Sequence, residues 1–176
     1  MTKARNLSLL SAVEAAATAD QTKADIEGLA IDVVTSQMPS GSVLQVVSIG
    51  IVGTQTLPNT SYADVGTSSI TITPSSTSSK ILLMWNTGGM AYGENNSIAL
   101  RVLRGSSVVR EIVRYGYVNG SSWSPCPIAI QYVDNPSSTS AVTYKLQSKT
   151  EADNDFRINP TAPNGSMVII AMEIGG

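Results

Sequence analysis

The chain has 176 residues, a net charge of −2 and no histidine, and only 14% of its residues are charged against the ~25% common in soluble domains. No basic stripe of the kind that holds nucleic acid is present, the longest cluster being Lys3-Ala4-Arg5, so a nucleic-acid partner is excluded. No stretch approaches the ~20 apolar residues that span a bilayer, which leaves no membrane insertion through a helix.

In chain order, residues 1–41 read as helix followed by a hinge. Asn6 is a candidate N-cap, and Leu7, Leu10 and Val13 follow at helical spacing ahead of Glu14 and Ala15-Ala16-Ala17. A second helical stretch starts at Asp20 or Thr22, with Ile26, Leu29, Ala30, Val33 and Val34 forming an apolar stripe along one face. Gly28 weakens this stretch by about 1 kcal/mol relative to alanine. A helix so weakly apolar is not stable alone in water and must lie against something. Leu7, Leu10, Val13, Ile26, Leu29 and Val33 are therefore the candidate anchor residues. Pro39 and Gly41 end the segment.

From residue 42 to residue 176 the sequence changes to short runs of Ile, Val, Thr and Tyr broken by Ser, Asn, Gly and Pro. Runs are expected at 43–52, 62–65, 69–73, 80–85, 97–103, 107–114, 123–133, 141–148, 155–158 and 166–174, with turns at Gly88-Gly89 and Gly93-Glu94-Asn95-Asn96. Arg104-Gly105-Ser106 makes a short hairpin loop. No helix-length crossover separates the runs, so the strands are antiparallel. Many short strands at regular spacing point to a mainly β fold, an antiparallel β-sandwich of jelly-roll type behind a short N-terminal α-helical segment. Cys126, the single cysteine, lies between two prolines and reads as a small buried filler.

Three runs, 43–52, 81–85 and 167–172, are apolar almost throughout instead of alternating. A lone sandwich buries one face of a strand and wets the other. Leu82, Met84, Val168, Ile170 and Met172 cannot all share a core with Ile81, Leu83, Ile169 and Ala171, so they predict a second packed surface, and the simplest occupant is another copy of the chain. The alternative is that the helical leader covers that face.

Catalytic machinery is not visible, and the expectation is a protein that is not an enzyme and uses no cofactor. Without histidine there is no Ser-His-Asp triad and no Cys-His pair, and with a single cysteine no ordinary zinc site. The one carboxylate cluster, Glu151, Asp153 and Asp155, offers oxygen ligands of the type calcium takes but lacks the glycine and distal glutamate of an EF-hand loop. It reads first as an acidic turn in solvent and second as a calcium site of a lectin-like, carbohydrate-binding module. Tyr92, Tyr115, Tyr117 and Trp123 fall near strand ends beside Asn and Ser, where exposed rings would suit a glycan and buried ones a core or interface.

Several strings resemble the C-terminal heads of bacteriophage tail fibres and related virion appendages: Gly41-Ser42-Val43-Leu44-Gln45-Val46-Val47, the stretch from Ser69 through Pro74 to Leu83, and the closing run from Met167 to Ile174. In the leader, Thr2-Lys3-Ala4-Arg5-Asn6-Leu7 is similar to the opening of many such fibres, and residues 22–32 resemble a short helical element they carry. The resemblance implies a homotrimeric jelly-roll-like knob, built like complement and tumour-necrosis-factor heads, that is made in a host cytoplasm and works in the virion. It implies other virion proteins as partners of the N-terminal segment, a host-surface glycan as a partner of the head, and no catalytic residues. Such fibres carry a long shaft that is not seen between leader and head here, which favours a short fibre or a capsid decoration protein that stabilises the shell.

Overall fold

The structure is a computed structural model and describes residues 38–53, 55–57, 60–151, 156–158 and 166–176. Compact units are residues Met1–Gln37 and Met38–Gly176. The expected leader helices, with Leu7, Leu10, Val13, Ile26, Leu29 and Val33, lie outside the described residues.

The second unit is all β in its described elements. They are β1 (Val43–Val52), β2 (Gln55–Thr56), β3 (Ala63–Ile72), β4 (Lys80–Thr87), β5 (Gly89–Arg104), β6 (Ser107–Pro125), β7 (Ile128–Asp134), β8 (Val142–Thr150), β9 (Phe156–Ile158) and β10 (Ser166–Ile174). One sheet has the order β1-β10-β4-β7; the other runs β2-β9-β5-β8-β3, with β6 also paired to β5. Every paired register is antiparallel. The two sheets face each other across one core. Ile81, Leu83, Trp85, Ile128, Ile130, Met167 and Ile169 enter it from the first sheet, and Ile98, Leu100, Val102, Tyr144, Leu146, Phe156 and Ile158 from the second.

Period-two alternation decides which side chains those are. Along β4 the side chains of Ile81, Leu83 and Trp85 are buried while Leu82 and Met84 between them are only partly covered. Burying each large apolar side chain contributes roughly 1.5–3 kcal/mol, and a one-residue slip of β4 would turn Trp85 outward and bring Asn86 into the core face.

The described strands depart from the expected runs in several places. Runs 62–65 and 69–73 form a single strand, β3, whose pairing with β8 shifts register between Asp64 and Ser69. Gly93 to Asn96, expected as a turn, lies inside β5, where successive register shifts against β6 take up the extra residues. Run 107–114 extends to Pro125 because β5 provides a partner along that whole length. The run expected at 123–133 is broken at Cys126 and Pro127, since two prolines remove two ladder donors. Cys126 is buried there and its N–H donates to Gly89 O at 2.8 Å. At the β5–β6 hairpin the turn tightens to Gly105 and Ser106, with Gly105 at φ 57, the left-handed conformation such a turn requires.

Candidate functional site

The registers align side chains into rows across the outer face of the sheet β1-β10-β4-β7. Val46, Met172, Leu82 and Val133 lie directly opposite one another in one row, and Ser48, Ile170, Met84 and Gln131 in the next. Gly50, Val168, Asn86 and Ala129 make a third. Leu82, Met84, Val168, Ile170 and Met172, expected from sequence to need a second surface, thus share one face. The edge strands add two residues that the sequence reading did not single out, Val46 and Val133, which are 55% and 48% exposed. Their position becomes visible only once β1 and β7 are known to flank β10 and β4, and no local pattern announces that. Lys80, at the end of β4, is the only charged side chain at the described positions of this outer face.

Between the second and third rows the surface sinks. Met84, Asn86, Ala129, Gln131, Val168 and Ile170 surround a depression of about 320 Å³. Ala129 is the small member of the third row at this depression, where its short side chain leaves the surface low.

The outer face of the opposite sheet has the reverse character. Thr71 and Thr143 hydroxyls share a hydrogen bond of 2.7 Å, and Arg101 Nε donates to Gln147 Oε1 at 2.8 Å. Lys145 Nζ bonds Asp64, and hydrogen bonds from Gln147 and then Lys145 hold the Asp64 carboxyl below its ordinary range. The Tyr62 ring lies under the Arg101 guanidinium at 4.0 Å and its hydroxyl donates to Glu111 at 2.7 Å. Burial, followed by that bond, pushes the phenol up to about 12. Across β3, β8 and β5 this face pairs its polar groups with one another and presents charge to water, while β6 at its edge exposes Val113 and Tyr117.

The four aromatic residues weighed for glycan contact do not form one site. Tyr92 and Trp123 meet with ring centroids 5.4 Å apart, and the Arg157 guanidinium lies 4.2 Å over the Trp123 ring. Tyr115 is used elsewhere: its hydroxyl accepts the Ala129 N–H at 2.6 Å and donates to Pro127 O at 3.1 Å, tying β6 to β7. Tyr117, on β6, is 60% exposed. Of the acidic cluster, Glu151 is exposed and pairs with Arg114 at 3.7 Å, while Asp153 and Asp155 lie outside the described residues. Among the described residues no group of three or more Cys, Asp or Glu side chains converges on a metal-sized site.

No protein-family model and no curated protein sequence matches the chain. Among solved structures, the chain is similar to the VP2 subviral particle of infectious bursal disease virus, with a TM-score of 0.46 and 9% identity over 85% of this chain and 42% of that one. A second likeness is to T=1 particles derived from the same virus, with a TM-score of 0.41 and 9% identity over 84% of this chain and 40% of that one. A third is to dimeric latent PorU from Porphyromonas gingivalis, with a TM-score of 0.36 and 9% identity over 78% of this chain and 14% of that one. The chain therefore spans less than half the length of each of these structures.

Proposed function

We propose that the chain is a non-enzymatic structural protein of a virus particle, a trimeric knob that joins its copies through the apolar outer face of β1-β10-β4-β7 and is held to the particle by residues 1–41. The observation that carries this reading is the asymmetry between the two outer faces. Across β3, β8 and β5 one carries Arg, Lys, Gln, Asp and Thr side chains bonded to one another; the other aligns Val46, Met172, Leu82 and Val133 in a row with almost no charge. An apolar face spanning a whole sheet is stabilised when a second surface removes it from water. The strand orders β1-β10-β4-β7 and β3-β8-β5-β6, with chain connections passing between the two sheets, support a jelly-roll head. The virion, and a bacteriophage in particular, comes from the resemblance of the strings at 41–47, 69–83 and 167–174 to tail-fibre heads.

Sedimentation velocity of the full chain tests the assembly. The expected species has three chains, and Ile170→Asp, which places a charge in the middle of the face, weakens association by about a thousandfold while the monomer unfolds at nearly the wild-type temperature. A wild-type chain that stays monomeric, or an Ile170→Asp chain that still forms the trimer, rejects this interface.

A further inference from the structure

On the other sheet, away from the assembly face, three side chains of different chemistry are brought together by β5, β6 and β9. In β9, Phe156 and Ile158 point into the core, so Arg157 between them points out. Arg157 lies directly opposite both Thr56 of β2 and Met90 of β5. Two residues beyond Met90, on the same strand, Tyr92 is 38% exposed and its ring meets that of Trp123, from β6. Trp123 in turn carries the Arg157 guanidinium on its face.

Two features set this cluster apart from the Tyr62 group. Tyr62 has its hydroxyl bonded to Glu111, and Arg101, stacked on its ring, has its Nε bonded to Gln147, so that group is internally complete. Arg157, by contrast, has a buried Nε–H that finds no acceptor among the described residues, and no described carboxylate pairs with its guanidinium. Desolvating a charged donor without an acceptor costs free energy, and an anion that meets the remaining N–H groups of the same guanidinium offsets part of it. The guanidinium is also planar and fixed against the indole, so its fork is oriented before a ligand arrives.

We propose that Tyr92, Trp123 and Arg157 form a binding shelf for a sugar that carries a carboxylate. The carboxylate accepts two parallel hydrogen bonds from the Arg157 guanidinium, and the apolar face of the sugar ring rests on Tyr92. A lone guanidinium matches a singly charged carboxylate better than a phosphate monoester, whose second charge would call for a second cation. An exposed phenol ring beside it matches a ligand with an apolar face, as a pyranose has and a bare anion lacks. The shelf and the assembly face are on different sheets, so either stands without the other.

Calorimetric titration of the full chain tests the shelf, with methyl glucuronide, trigalacturonate and sialyllactose as probes, each beside its neutral counterpart. At least one acidic probe should saturate with a dissociation constant of about 1 mM or tighter, and its neutral counterpart should bind about tenfold more weakly. Arg157→Gln should abolish that preference, and Arg157→Lys should restore less than half of it because an ammonium lacks the fork. Tyr92→Ala should weaken acidic and neutral sugars alike. The shelf is rejected if no probe saturates, if acidic and neutral sugars bind the wild type equally, or if Arg157→Gln keeps the preference. It is also rejected if acetate competes as strongly as the sugar, since the ring would then contribute nothing.

Discussion

Glu173 occupies an inward position of β10, between the outward Met172 and Ile174, and is only 1% exposed. A carboxylate there is costly unless its oxygens are satisfied. Glu173 Oε1 accepts the Ser75 N–H at 2.7 Å, the Ser75 hydroxyl at 2.6 Å and the Ser79 hydroxyl at 2.7 Å. The run of serines between β3 and β4 is therefore a cap on one buried charge. Burial by itself would raise the Glu173 pKa, but the bonds from Ser75 and Ser79 outweigh it and hold the group below its ordinary 4.5. A folded-state pKa lowered in this way contributes stability that is fully present above the unfolded value and is lost as pH falls toward the folded one. Glu173→Gln should accordingly cost about 1–2 kcal/mol at pH 7, by exchanging charged hydrogen bonds for neutral ones. Urea unfolding at two pH values checks the sign: the gap between wild type and variant should be wide at neutral pH and narrow in acid.

Between elements, the two sheets are tied by a second buried group. Asp134 ends β7 in one sheet, and its Oδ2 accepts the Tyr144 hydroxyl of β8 at 2.6 Å and Arg104 Nη1 of β5 at 2.9 Å in the other. Burial, followed by the bond to Asp134, raises the Tyr144 phenol far above its usual value, so the hydroxyl remains a donor at any physiological pH. Tyr144→Phe removes that donor yet leaves Asp134 paired with Arg104, and should cost about 1–2 kcal/mol in thermal or urea unfolding. A loss near zero would mean that the Tyr144 hydroxyl adds nothing to the tie that Arg104 already makes. Such ties were not legible in the sequence, because Arg104, Asp134 and Tyr144 become neighbours only through strand pairing. The strands themselves were mostly legible: 43–52, 80–85 and 166–174 follow from their apolar runs and turn residues. What failed was punctuation. Gly93 to Asn96 has the composition of a turn, but the pairing of β5 with β6 on both sides of it overrides the local preference. The apolar outer face of β1-β10-β4-β7 was legible as a surplus of apolar residues, and its edges were not, since Val46 and Val133 join it by register alone. Of the aromatic residues, the sequence marked Tyr92 and Trp123 but gave no reason to add Arg157, which arrives from β9 more than thirty residues later.

For the whole molecule, the question is whether the head needs residues 1–37 to find its copies. The second compact unit starts at Met38, and its first residues are already bound into the sheet: Gly41 N–H donates to Gly175 O at 2.8 Å, and Gly175 N–H donates to Ser42 O at 2.9 Å. The core that β1 to β10 enclose draws all its described members from residues 51–171, so the head holds what it requires to fold. A chain beginning at Met38 should therefore unfold cooperatively, within a few degrees of the full chain. If the outer face of β1-β10-β4-β7 joins the copies, that shortened chain should also sediment as the same oligomer, and adding Ile170→Asp should separate it into monomers. If the apolar stripe of Ile26, Leu29 and Val33 joins them instead, the shortened chain should be monomeric before any substitution on the face. Should the stripe cover the face within one chain, shortening would uncover it and raise the oligomeric state above that of the full chain. The three arrangements thus predict an unchanged, a lower and a higher number of chains in the particle on removal of the same segment, and one sedimentation experiment separates them.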